Sequence, residues 1–278
     1  MLVLLIGESV GDAMAINTLA DVSPPEQHGQ CPHCLGTGWR HNSNEDKRVM
    51  RCECKLGIRA KKLIENAGIP PRYESCTLET YRAESSKPSL VNAKAKALKF
   101  VEQYPIDKTG LIFVGKAGAG KTHLAIGIIK ELTSRKGITC LFCNFQELLE
   151  KIKNSYDPSV QTTSMGLLRP VFDSEVIVLD DLGSVIPTGW VWDTVSLILN
   201  TRYNANLTTI ITTNFQDGPA ASSDEDGEAA RARRANREQT LGDRIGERMR
   251  DRVHEMCRMI SIWDVPSYRD RNPNSLVR

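Results

Sequence analysis

The run "GLIFVGKAGAGKTHLA", residues 110–125, limits what this chain can fold into more than any other stretch. Its opening, "GLIFV", is a short apolar run of the kind found in a buried strand. The segment Gly115-Lys116-Ala117-Gly118-Ala119-Gly120-Lys121-Thr122 follows, and then a helical stretch to Arg135 that Gly137 can terminate. A strand, a glycine-rich turn and a helix in that order satisfy the G-x-x-x-x-G-K-[ST] pattern. The glycines let backbone amides turn inward around phosphate oxygens, and the helix aims the positive end of its dipole at the same charge. Lys121 is then expected to bridge the β- and γ-phosphates, and the Thr122 hydroxyl to hold Mg²⁺. Gly115 through Thr122, with His123 directly after, are the candidate nucleotide-contacting positions.

The rest of the chain from about residue 90 alternates strands with helices. "TCLFCNF" (139–145), "EVIVLDD" (175–181), "LTTIITTN" (207–214) and "RMISIWDV" (258–265) all read as strands. Such alternation predicts an α/β fold with a parallel sheet covered by helices on both faces. A buried parallel strand delivers its C-terminal residues to the crevice where ligands bind. Asp180 and Asp181 close one such strand, so Asp180 is expected to hold the metal and Asp181 to orient or deprotonate an attacking water. Asn214 ends the next strand, where it can contact the γ-phosphate or simply cap a turn.

A second pattern lies upstream. Cys31-x₂-Cys34 is followed after seventeen residues by Cys52-x-Cys54. Four thiols in two short loops match the tetrahedral demand of Zn²⁺, with S–Zn near about 2.3 Å. Glycines after the first pair let amides turn toward the thiolates, and His33 and His41 are spare donors. A redox role for the C-x-x-C lacks the βαβ context it needs. Metal binding would stabilise a stretch whose core is too small to fold alone. Trp39 and the basic residues Lys47, Arg48, Arg51, Lys55, Arg59, Lys61 and Lys62 lie beside it. They can meet nucleic-acid phosphates or a protein, or form a solvated helix face. Cys76, Cys140, Cys143 and Cys257 read as small core residues.

Composition adds exclusions. With 40% hydrophobic residues the 278-residue chain can build a core, and a net charge of +2 does not by itself mark a nucleic-acid binder. "MLVLLIG" has no basic residue before it and is too short for a signal or a membrane span, so a strand or a loose terminus in a cytoplasmic protein is expected. The segment 217–239, acidic and then arginine-rich, is expected to be a mobile insertion.

Taken in order, "IPPRY", "GKAGAGKTHLA" (115–125), "VIVLDDLG" (176–183), "LNTRYN" (199–204), "TIITTN" (209–214), "DRIGERMRD" (243–251) and "SYR" (267–269) resemble the AAA+ ATPases of the DnaC/IstB type, across roughly residues 65–270. That family comprises bacterial and phage helicase loaders and transposase-helper ATPases. The resemblance implies a P-loop AAA+ domain without a large lid. It implies ATP and Mg²⁺ as ligands, hydrolysis of the γ-phosphate, and self-assembly through the ATP site. Its partners would be single-stranded DNA and a DnaB-type replicative helicase, or a transposase. Asn214 would be the sensor-1 residue. Arg248, or Arg244 one turn earlier, would be the arginine finger, and Arg269 a sensor-2-like arginine. The expected organisation is a linker at 1–30, a zinc module at 31–58, a connector at 59–89 and the ATPase domain at 90–278. Two features depart from the family pattern: the insertion before the arginine helix, and the cysteine module, which only some members carry.

Overall fold

The computed structural model describes residues 31–41, 49–157, 159, 161–220 and 238–268. The apolar opening run, most of the charged insertion and Arg269 therefore lie outside the described residues. The chain divides into two compact units, one ending at Cys52 and one beginning at Glu53.

The first unit holds a tight turn and a hairpin. Leu35 N–H closes the turn on the Cys31 carbonyl at 2.8 Å, and Leu35, Gly36 and Gly38 all have positive φ. Strands β1 (Trp39–His41) and β2 (Val49–Arg51) pair antiparallel, with Trp39 opposite Arg51.

The second unit starts with α1 (Glu53–Glu65), a 3₁₀ turn at Pro71–Tyr73 and α2 (Pro88–Gln103). Alternation then begins: β3 (Gly110–Gly115), α3 (Lys121–Lys136), β4 (Cys140–Asn144), α4 (Phe145–Asn154), α5 (Ser164–Asp173), β5 (Val176–Asp180), α6 (Gly189–Asn204) and β6 (Thr208–Thr213). The described chain ends with α7 (Leu241–Ile245), α8 (Glu247–Met256) and β7 (Cys257–Ile262). The five strands from β3 to β7 form one parallel sheet in the order β4-β5-β6-β3-β7. This is the α/β class that the strand–helix alternation predicts.

Every residue of β3, β5 and β6 is buried, because helices cover both faces of the sheet. The two-residue period of a strand then divides the core in two. Phe113, Val178 and Ile210 pack with α2 and α3, while Ile112, Val114, Ile177, Leu179 and Ile211 pack with α4, α5, α6, α7 and α8. Cys140 and Cys257 are buried core residues, and Cys76 and Cys143 pack against the core half-buried. That agrees with the reading of these cysteines as small hydrophobes.

Arg202 is the largest fully buried side chain, at 0% exposure. Its Nε donates to Thr209 Oγ1 at 3.0 Å, Nη1 to the Val171 and Ser174 carbonyls, and Nη2 to the Thr208 carbonyl at 2.6 Å. Two of these carbonyls lie at the C-terminus of α5, where backbone acceptors have no partner within the helix. Burial lowers the guanidinium to about 10, so it is still charged at neutral pH. One side chain thereby ties α5, α6 and β6 together.

Candidate functional site

The chain leaves β3 by α3 and reaches β4 at the far edge, so β5 and β6 lie between them. The C-terminal ends of β3, β5 and β6 therefore open on one crevice, as expected at the point where an α/β sheet changes direction.

The turn after β3 is shaped for an anion. Gly118 and Gly120 sit at φ +77 and +87, which other L-residues rarely adopt. Space excludes a side chain as well. A Cβ on Gly118 would lie 2.2 Å from Ser267 Oγ, and one on Gly120 would lie 2.8 Å from Tyr81 Cε2. Gly120 caps α3, so the first amides of a sixteen-residue helix face the turn.

Lys121 is 5% exposed. Its ammonium donates to the Gly115 and Lys116 carbonyls at 2.9 Å each and to Asn214 Oδ1 at 2.7 Å. Asn214 Nδ2 in turn donates to Asp181 Oδ1 at 3.2 Å. Thr122 Oγ1 donates to Asp180 Oδ1 at 2.8 Å. These residues, which follow β3, β5 and β6, thus form two hydrogen-bonded groups, Lys121–Asn214–Asp181 and Thr122–Asp180, side by side through the adjacent Asp180 and Asp181. Burial pushes the Asp180 carboxyl above its ordinary range. The Thr212 hydrogen bond opposes that, Asp181 adds to it, and Thr122 and Lys121 oppose it. A buried carboxylate next to a hydroxyl supplies the hard oxygen donors that suit Mg²⁺. Asp181 lies one residue past β5 in the left-handed region, at φ +56.

His123 bonds to the segment before β3. Its Nε2 donates to the Thr77 carbonyl at 2.8 Å, its ring meets Tyr81 edge-on at 5.4 Å, and burial lowers its pKa. Lys116 and Ala117 line a cavity of about 690 Å³ with Trp263, Asp264, Val265, Pro266 and Ser267. Ala119 is buried in the core.

The segment expected as one arginine-bearing helix is two, broken at Gly246 with φ +82, so Arg244 is on α7 and Arg248, Arg250 and Arg252 are on α8. Arg250 pairs with Asp217 at 2.7 Å and with Glu247 at 2.7 Å. Arg252 donates to Asn200 Oδ1 at 2.6 Å and lies 4.3 Å from the Tyr203 ring centroid. Arg244 lies 4.3 Å from the Phe215 ring centroid with its Nε buried, and burial lowers its pKa. Arg248 is exposed and has no partner among the described residues. Arg269 lies outside them.

The cysteine group is compact. The sulfurs of Cys31, Cys34, Cys52 and Cys54 lie within 4.8 Å of one another, and Cys31 and Cys52 are 3.7 Å apart. A tetrahedron of sulfurs around Zn²⁺ has an edge of roughly 3.8 Å, so this donor set fits the ion. His33 is exposed and outside the cluster, and the His41 side chain is outside the described residues. Trp39 is 51% exposed. Among the described residues no helix is long and apolar enough to cross a membrane.

Three neighbours of the site were not signalled by any local pattern. They are Tyr81 beneath Gly120, Phe215 beneath Arg244, and Thr212, which donates to Asp180 Oδ1 at 2.7 Å.

A parallel sheet ordered β4-β5-β6-β3-β7, a P-loop after β3, an acidic pair after β5 and a polar residue after β6 define a P-loop protein of the AAA+ class. The chain belongs to the family of IstB-like ATP binding proteins, whose model matches residues 57–226, and within it to the DnaC/IstB type. The replicative helicase loader DnaC of Escherichia coli strain K12 is 27% identical over 217 residues, 77% of each chain. A crystal structure of the DnaC helicase loader matches with a TM-score of 0.55 at 31% identity, over 69% of this chain and 99% of that one. AMPPCP-bound DnaA from Aquifex aeolicus shares the fold, with a TM-score of 0.53 at 14% identity over 74% of this chain and 56% of that one. The protein is thus a member of the helicase-loader-like AAA+ ATPases.

Proposed function

We propose that this protein hydrolyses ATP and uses the cycle to control its binding to a replicative helicase and to single-stranded DNA. The observation that carries the reading is the convergence of Lys121, Thr122, Asp180, Asp181 and Asn214 on one crevice beside a glycine turn. Backbone amides of the Gly115–Gly120 turn hold the phosphates. Lys121 exchanges its carbonyl acceptors for β- and γ-phosphate oxygens. Thr122 and Asp180 hold Mg²⁺, which when bound spreads the charge developing on the phosphates. Asp181 takes the proton of the attacking water, and Asn214, fixed between Lys121 and Asp181, reports the γ-phosphate. Arg248, the arginine of its helix without a partner among the described residues, reaches a neighbouring subunit's site, which requires an oligomer. Arg269 is proposed as a phosphate contact on its place in "SYR" alone. The four cysteines hold Zn²⁺ and shape an arm that selects the partner.

The test is capture of a DnaB-type helicase by the purified protein, with and without ATP, for the wild type and Lys121→Ala. ATP-dependent capture that Lys121→Ala abolishes supports the proposal; equal capture by both overturns it. The family match favours a second reading, a transposition helper. ATP-dependent capture of a transposase in place of the helicase would select it.

A further inference from the structure

Asp180 and Asp181 are adjacent in sequence but must face different tasks. The chain separates them by turning sharply: Asp180 is the last residue of β5, and Asp181 has φ +56. A non-glycine residue in that region is strained by on the order of 1 kcal/mol or more and persists only where its surroundings hold it. The Ser184 N–H closes a local turn on the Asp181 carbonyl at 3.1 Å, but it does not tie Asp181 to the neighbouring strand.

Thr212 does. It lies on β6, next to β5 in the sheet, and is 0% exposed. Its register follows from the ladder: Val178 faces Ile210 and Leu179 faces Ile211, which brings Thr212 beside Asp180. Its hydroxyl has one donor and two acceptor positions. Oγ1 donates to Asp180 Oδ1 at 2.7 Å and accepts from the Asp181 N–H at 3.0 Å. Its carbonyl accepts from the Leu182 N–H at 2.9 Å. One residue thus holds three consecutive positions of the turn. Thr213 adds a fourth bond, from its hydroxyl to the Leu182 carbonyl at 2.8 Å.

We propose that Thr212 is a positioning residue for this site, its single hydroxyl fixing the Asp180 carboxylate for the metal and the Asp181 backbone for the attacking water. The inference rests on the ATPase reading above. A side chain that only filled the sheet would need the shape of threonine. A positioning role needs the oxygen.

Two substitutions separate shape from oxygen. Thr212→Val keeps the β-branched shape, and Thr212→Ser keeps the hydroxyl. Three experiments are run on each: steady-state kinetics giving kcat and KM for ATP, the Mg²⁺ concentration that half-saturates binding of a fluorescent ATP analogue, and the hydrogen exchange of the Asp181 amide. For Thr212→Val, kcat is expected to fall roughly 10–100-fold with KM for ATP nearly unchanged, in the range of residues that orient metal ligands. The Mg²⁺ midpoint is expected to rise, and the Asp181 amide to exchange faster while those of β3 and β6 keep their protection. Thr212→Ser is expected to recover all three. A Thr212→Val protein equal to wild type overturns the proposal, and so does a Thr212→Ser protein as impaired as the valine variant. Lys121→Ala run alongside reports on the ATPase reading itself. If that variant turns over ATP as fast as the wild type, the ATPase reading of this site fails, while the Asp181 amide still decides for or against Thr212.

Discussion

The Lys121 ammonium and the Asn214 side-chain oxygen lie 2.7 Å apart, joining the turn after β3 to the end of β6. Asn214 passes the connection on to Asp181 through its amide nitrogen. Its replacement by alanine is expected to leave ATP binding within a few-fold and to lower kcat by roughly 10²-fold, the usual scale for one lost donor at a reacting centre. Steady-state kinetics beside an equilibrium binding titration checks the split.

Arg248 and Arg244 give opposite expectations. Arg248 is exposed, so Arg248→Ala is expected to fold normally and lose about 10³-fold in turnover. Mixing it with Lys121→Ala is expected to recover activity that neither has alone, because each supplies the part the other lacks. Arg244→Ala removes a guanidinium from the Phe215 ring and is expected to lower the thermal midpoint instead. A mixing series of turnover rates and two melting curves decide the assignment.

For the cysteines, wild-type protein is expected to carry about one zinc per chain, and Cys31→Ser or Cys52→Ser close to none. ATP binding by the variants is expected to persist, since the nucleotide residues lie beyond the cysteines. Metal analysis of protein purified without added zinc is the measurement. Variants that keep full zinc would remove the assignment.

Asp217 links the base of the insertion to α8 by accepting from Arg250 and from His254. The Arg250 hydrogen bond holds its carboxyl below the ordinary 3.8, and the His254 contact lowers it further against burial. A lowered folded pKa contributes stability above the unfolded value and loses it as pH falls through the folded value. Asp217→Asn is therefore expected to melt lower than wild type at pH 7. The difference should shrink as pH falls below about 3.8, the unfolded value. Melting curves of both proteins from pH 7 to pH 3 test the sign.

Arg202→Met is expected to cost about 3 kcal/mol, because the Val171, Ser174 and Thr208 carbonyls lose their donor in a buried site. Urea unfolding should show a lower midpoint with the slope retained.

Some of this was written locally in the chain. The P-loop needs glycines at fixed offsets and a lysine next to them, so residues 115–122 announce themselves. The strands announce themselves as apolar runs, and their ends moved by no more than a few residues. β7, read as 258–265, spans Cys257–Ile262. Other features depend on partners far away in sequence. Arg202 lies within "LNTRYN" like a surface residue of a helix, and only the packing of α5 and β6 shows that it is buried. The role argued for Thr212 needs the β5–β6 register, which no window of sequence contains. Which of Arg244 and Arg248 packs against a neighbouring side chain likewise depends on residues far away in sequence, Phe215 in the case of Arg244.

The connector before β3 carries a practical consequence for engineering. Ala67 accepts from the Phe142 amide at 2.7 Å, Tyr73 and Glu74 accept from Lys130, Thr77 accepts from His123, and Tyr81 lies beneath Gly120. Leu78 fills the space that a side chain at residue 127 would occupy, which is why Gly127 is tolerated in mid-helix. A chimera that exchanges the cysteine-bearing arm for another module should therefore be spliced between Cys54 and Ala67, so that all four cysteines leave together and the connector stays whole. A cut nearer the P-loop would graft a foreign segment onto the floor of the nucleotide turn, and would change how the motor works together with what it grips.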